Sequence, residues 1–241
     1  MMLKLENVSK SLGGRLIVGP ISLDLPVGAT TVLLGPHDSG KSTVLRLFTG
    51  LVKADTGDVL VDNISLNDDT IHGILRRIGY IPSDGGLFPH MSVLDNVTLQ
   101  LKRAKVQPDL IQGRLNDLMA LFRVSQDGLR RFPHQLTPWQ RLRVALFRAL
   151  MLDPPILMFD DPLSDVDYPF RHAIRKQLDD MLQRLRKTVL MASADKEDAA
   201  YFADQVVLMD QGIIVQQGHM MDLLNNPADD FVRNFLQPEY A

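Results

Sequence analysis

The chain has 241 residues, 45% of them apolar, with a formal charge of −3 and no cysteine. That length and apolar fraction support a substantial core, either one large α/β domain or a domain with an inserted lobe, and exclude a disordered chain. The small, dispersed charge argues against nucleic acid as a main partner and gives no support to membrane-surface attraction. The missing cysteines exclude disulfides and thiolate metal sites, and no apolar run approaches the ~20 residues of a spanning helix, so a soluble, cytoplasmic protein is expected.

In chain order, Leu3 and Leu5 alternate with Lys4 and Glu6, as in a strand with one buried face, and residues 21–25 read as a second strand. The turn Pro26-Val27-Gly28 leads into an apolar strand, Thr31-Val32-Leu33-Leu34. There the chain enters Gly35-Pro36-His37-Asp38-Ser39-Gly40-Lys41-Ser42-Thr43, which fits the phosphate-loop pattern G-x-x-x-x-G-K-[ST]. Each fixed member has a physical part. Gly35 and Gly40 permit backbone angles and close approaches that a Cβ would block, so amides turn toward a polyphosphate at the positive end of the next helix. Lys41 supplies a mobile cation, and Ser42 a hydroxyl for the Mg²⁺ that accompanies the nucleotide. Helical spacing in residues 42–49 places Val44, Leu45 and Phe48 on one face.

Residues 57–62 make a further alternating strand, and the early strands read as antiparallel. Residues 76–82 contain a short buried strand. From Met91 to about Leu152 the pattern turns helical, as in an inserted lobe, with one helix opening at Pro108 (Leu115, Leu118, Met119 and Phe122 on one face) and another at Pro138. The second chemical landmark is Ile156-Leu157-Met158-Phe159-Asp160-Asp161-Pro162. An apolar strand that delivers a carboxylate at its end, beside a phosphate loop, is how such folds hold Mg²⁺. Asp160 takes that role, and Asp161 stands where a general base or water-positioning carboxylate sits. A long helix over 168–185 and strands at 188–191, 205–209 and 213–216 complete an α/β alternation.

This order of parts resembles the nucleotide-binding subunit of an ATP-binding-cassette transporter over essentially the whole chain. Residues 3–10 are similar to the family's opening strand, 35–43 to its phosphate loop, 79–97 to its lobe-linking loop, and 132–167 to its signature region, magnesium strand and following loop. Within the family, Leu87-Phe88-Pro89-His90-Met91 and residues 226–232 look most like importers of glycine betaine, choline and related osmoprotectants. The resemblance implies an α/β fold, a P-loop NTPase core of ABC ATPase type with an antiparallel β subdomain and an inserted helical lobe. Residues 1–90 and 153–241 would form the core and 91–152 the lobe of a single nucleotide-binding domain. It also implies ATP and Mg²⁺ as cofactors, and transmembrane permease subunits and a second nucleotide-binding subunit, in a homo- or heterodimer, as partners. The expected place is cytoplasmic, peripheral on the inner face of the cell membrane.

Five positions depart from the family's pattern. Where an aromatic residue stacks on adenine, Leu12 offers apolar contact without a π-face. Ser83 occupies the position of a glutamine that senses Mg²⁺ and the attacking water. The signature reads Leu136-Thr137-Pro138-Trp139-Gln140 in place of Leu-Ser-Gly-Gly-Gln, and Pro138 has no N–H to offer a γ-phosphate. The catalytic glutamate is shortened to Asp161, and the switch histidine is Ala194. Each composite site in this family takes its phosphate loop from one subunit and its signature from the other, so a homodimer has two impaired sites and a pairing with an intact paralogue restores neither fully. Nucleotide binding is expected to survive better than hydrolysis. Two functions stay open: a transport ATPase subunit with slow turnover, and an ATP-binding module that does not hydrolyse. His37 reads as a solvated loop side chain, Trp139 as packed against its own lobe, and Ser164, Asp165 and Asp167 as interface and capping residues.

Overall fold

The computed structural model describes residues 2–237. The chain opens with β1 (Leu3–Leu12) and β2 (Arg15–Leu25), joined by Gly13 and Gly14, both at positive φ, so that Leu12 pairs with Arg15 across a two-residue turn. β2 therefore begins six residues before the strand expected at 21–25. There follow β3 (Thr30–Leu34), α1 (Lys41–Phe48), β4 (Thr56–Val61), β5 (Ile64–Ser65), α2 (Ile71–Leu75) and β6 (Ile78–Ile81). Helices then dominate: α3 (Val93–Arg103), α4 (Pro108–Phe122), α5 (Gln126–Leu129), a 3-10 turn (Pro133–Gln135) and α6 (Pro138–Leu150). The chain returns to sheet with β7 (Ile156–Asp160), then α7 (Tyr168–Leu185), β8 (Thr188–Ser193), α8 (Lys196–Phe202), β9 (Gln205–Asp210), β10 (Ile213–Gly218), α9 (Met220–Asn225) and α10 (Asp230–Leu236).

Two sheets result. The antiparallel one has the order β2-β1-β4-β5, and the larger has the order β10-β9-β3-β8-β7-β6, parallel except for β10. The inner strands of the larger sheet are mostly apolar, with polar residues near their ends, because they are buried on both faces. Alternate residues go to opposite sides. Val32, Leu34, Leu157, Phe159, Val189, Met191, Val206 and Leu208 face the core shared with α3, α4, α6 and α7. Leu33, Ile156, Met158, Leu190, Ala192, Val207 and Met209 face the core shared with α1 and the antiparallel sheet. On α1 itself Val44, Leu45, Leu47 and Phe48 are buried in that second core.

This topology gathers three carboxyl strand ends at one edge. β3 lies between β9 and β8, and β7 is next to β8; Leu34 is in register with Ser193, and Ala192 with Asp160. Whatever follows Leu34, Asp160 and Ser193 must therefore meet, which is where parallel α/β sheets bind their ligands.

Candidate functional site

The loop after β3 is shaped by contacts that only glycine allows. Gly35 has φ +154°, and a Cβ there would lie 2.1 Å from the Met209 carbonyl oxygen; at Gly40, with φ +98°, one would lie 2.8 Å from the carbonyl oxygen of Ile17. Gly40 is also the N-cap of α1. Among the described residues no side chain caps this helix start, and Gly40, Lys41, Ser42 and Thr43 line a cavity of ≈ 480 Å³. A tight loop that excludes Cβ atoms and ends in an uncapped helix start fits a polyphosphate.

The lining of this cavity contains His37, Asp38, Ser39, Gly40, Lys41, Ser42 and Thr43 from the loop, together with Asp160 and Asp161 from the end of β7. The Lys41 ammonium donates to the Gly35 carbonyl at 2.8 Å, the Pro36 carbonyl at 2.6 Å and the Ser39 hydroxyl at 3.1 Å. Burial lowers its pKa from the usual lysine value, while Asp161, Asp160 and Asp38 act to keep it charged. The Ser42 hydroxyl donates to Asp160 Oδ1 at 2.6 Å, which sets a hydroxyl and a carboxylate oxygen side by side, a hard-oxygen pair suited to Mg²⁺. The Tyr80 hydroxyl donates to Asp160 Oδ2 at 3.1 Å, and burial, with the Asp160 charge, pushes the phenol up to about 12.

Beside this cradle Asp161 adopts φ +51° and its amide donates to the Ala192 carbonyl at 2.9 Å. Burial raises its carboxyl pKa, Asp198 adds to the rise, and Lys41 and His37 oppose it. The loop after β8 keeps an ordered shape around Ala194. Ser193 donates to Asp198 Oδ2 at 2.8 Å and accepts the Asp195 amide at 3.0 Å. Beneath it the buried Arg175 of α7 reaches three carboxylates: Asp198 at 2.6 Å, Glu197 at 2.5 Å and Asp195 at 2.6 Å. Burial lowers the guanidinium's pKa, but its bonds to these carboxylates outweigh that and leave it raised. His37, Asp161 and Ala194 also border a wider cleft of ≈ 1090 Å³ that extends to α10.

Residues 18–164 match the ABC transporter family. The chain belongs to that family. An Fe(3+) ions import ATP-binding protein of Pectobacterium atrosepticum is 37% identical over 98% of this chain and 68% of its own length. A glycine betaine uptake system ATP-binding protein of Escherichia coli is 35% identical over 97% of this chain and 76% of its own length. Among solved structures, an ATP-binding cassette dimer in a post-hydrolysis state with ADP and Pi superposes with a TM-score of 0.78 at 28% identity, covering 90% of this chain and 98% of the other. The mixed α/β architecture, with its antiparallel sheet and helical segment between β6 and β7, is the ABC cassette fold.

The expected site residues of this ABC chain divide into two groups. The loop residues, Asp160 and Asp161 come together, as described. Leu12 does not join them: it stands 46% exposed at the tip of the β1–β2 hairpin, and the cavity wall on that side is formed by Arg15 and Ile17. Ser83 lies exposed in the turn after β6, the edge strand farthest from β3, and packs near Pro138 and Asp165 instead of the cradle. At the signature, Thr137 caps α6 by accepting the Gln140 amide at 3.3 Å, and Gln140 accepts the Thr137 amide at 3.0 Å. With Pro138 at the first helical position, this helix start is closed on itself. Trp139 is half-buried against its own helices, with the Arg143 guanidinium 6.0 Å from the ring centroid. Tyr80 and Arg175 were not anticipated. The spacing of Arg171 and Arg175 on α7 and the acidic run from Asp195 to Asp198 were the available signals for the latter.

Proposed function

We propose that the chain is the ATP-binding subunit of an ABC importer, holding Mg-ATP in the cradle after β3 and turning it over slowly. The observation that carries this is the convergence of the Lys41 ammonium, the Ser42 hydroxyl and the Asp160 carboxylate at one uncapped helix start. Gly35, Pro36, His37, Asp38, Ser39, Gly40 and Thr43 shape the backbone around the phosphates, Lys41 neutralises the β/γ oxygens, and Ser42 with Asp160 holds the metal. When bound, the nucleotide supplies a transferable γ-phosphoryl group whose charge Mg²⁺ neutralises. Asp161 positions the attacking water, while Leu12 would meet the base only from outside the wall formed by Arg15 and Ile17, and Ser83 would serve the metal only after leaving its place beside Pro138 and Asp165. Residues 91–152 act as the mobile lobe of one nucleotide-binding domain, which works as a dimer on permease subunits at the inner face of the membrane. Such a pairing is supported by the dimeric state of the structural relative. For the solute, relatives named for iron and for glycine betaine match at nearly equal identity. We infer the betaine and choline class from the lobe-linking segment Leu87-Phe88-Pro89-His90-Met91.

The test is calorimetry of Mg-ATP binding beside phosphate release. Lys41→Ala should weaken binding about tenfold or more, since a charge-assisted contact contributes ~1.5 kcal/mol or above. Unchanged affinity would remove the claim. A second reading, an ATP-binding module without hydrolysis, is favoured by the self-capped start of α6 and by Ala194. Nucleotide affinity without measurable phosphate release, even with the partner subunits present, selects that reading.

A further inference from the structure

The two oxygens of Asp160 are held by different neighbours on opposite sides. Oδ1 accepts from Ser42 at 2.6 Å on the cradle side, and Oδ2 accepts from the Tyr80 hydroxyl at 3.1 Å. Asp160 is 6% exposed, so these contacts, more than water, decide how its carboxylate is turned. Tyr80 is itself fixed. It sits on β6, one residue before Ile81, which is in register with Phe159, and its ring packs partly buried against the core under α1. Tyr80 lines a cavity with Arg76, Arg103 and Arg148 and is absent from the cradle's own lining, where its hydrogen-bond neighbour Arg46 is present. Its hydroxyl meets the nucleotide site through Asp160, and beside it stands Arg46, which lines the cradle. A carboxylate at a strand end can rotate about its last torsion, which is broad for aspartate. With Oδ2 tethered to a rigid phenol, Oδ1 stays beside the Ser42 hydroxyl, and the hard-oxygen pair is formed before any cation arrives.

We propose that Tyr80 is a positioning residue for the divalent cation: it orients Asp160 from behind without touching nucleotide or metal. This rests on the Mg-ATP reading of the cradle. Its mark is a selective effect on metal-dependent binding, because the phenol has no part in the phosphate contacts made by the loop.

The experiment measures ATP affinity by calorimetry for the wild type, Tyr80→Phe, Asp160→Asn and the double variant, each in excess Mg²⁺ and in EDTA, with circular dichroism as a check on folding. Manganese affinity in the presence of ATP, read by electron paramagnetic resonance, gives an independent signal. Tyr80→Phe should weaken binding about three- to tenfold in Mg²⁺, the range of one hydrogen bond to a charged group after partial compensation, and leave it unchanged in EDTA. In the Asp160→Asn background the same substitution should have no further effect. Equal affinity of Tyr80→Phe and wild type in Mg²⁺, or an equal loss in both media, overturns the positioning role. If the wild type itself shows no metal dependence, the Mg-ATP reading falls and takes this inference with it, an outcome recognisable without any variant.

Discussion

Asp161 carries a carboxylate that is half-buried beside a second acidic group, and its pKa is raised by that burial and by Asp198. A folded-state pKa above the unfolded value means that the neutral form is favoured in the native protein. This contribution to stability is complete below the ordinary carboxylate range and is lost as pH rises through the folded pKa. Asp161→Asn is therefore expected to raise the Tm at pH ~7, with the gain shrinking as pH falls through the raised pKa and Asp161 takes up its proton. A lowered or unchanged Tm at neutral pH would contradict the raised pKa. At the hairpin tip, Leu12 is exposed and gives no π-face, and Arg15 and Ile17 form the nearby wall. Losing an aromatic stack removes about 0.5–1.5 kcal/mol of base preference, so GTP should compete with ATP within roughly tenfold in a displacement assay. A strong preference for ATP would mean that another group reads the base.

Among the elements, the unit formed by α7, the loop after β8 and α8 has the highest energetic stakes. Arg175 is 4% exposed and bonded to three carboxylates, with Asp198 at 2% exposed. Removing the cation leaves buried charge uncompensated, so Arg175→Ala should cost about 3–5 kcal/mol, read as a Tm lower by roughly 6 °C or more. A shift of a degree or two would show that water reaches these carboxylates and that the cluster acts as a surface network. Much of this scale was legible in the sequence. α7 runs over Tyr168–Leu185, as its periodicity implies, and the loop at 35–43 announces its own shape through Gly35, Gly40 and Lys41. β2 extends beyond the expected residues 21–25 because pairing with β1 carries the strand back to Arg15, a long-range contact that local propensity does not show. The bond from Tyr80 to Asp160 was not legible, and for Arg175 the sequence offers the charges of α7 and of residues 195–198 but not their pairing. These bonds join positions 80 and 20 to 23 residues apart, and only the strand order decides that these meet.

For the whole molecule, rate follows from how many transition-state contacts are missing together. A carboxylate displaced by about 1 Å costs on the order of 10²-fold, and a lost preorganised donor about 10²–10³, although groups acting as a unit do not multiply. Phosphate release by the purified protein should fall far below several per second, and Asp161→Glu with Ala194→His should rescue it partly, provided that an intact signature faces the site. Ordinary turnover by the wild type would mean that another base has been recruited. The larger sheet bears on a different observable. Since each inner strand sends alternate side chains into two separate cores, no single face can loosen without disturbing the other. Amide hydrogens of β3, β7 and β8 should accordingly be the slowest in the chain to exchange with deuterium, opening only when the entire fold does. Any signal passing from one edge of the sheet to the other then travels as a tilt of a stiff plate, and exchange rates in the connecting loops are where its arrival is recorded.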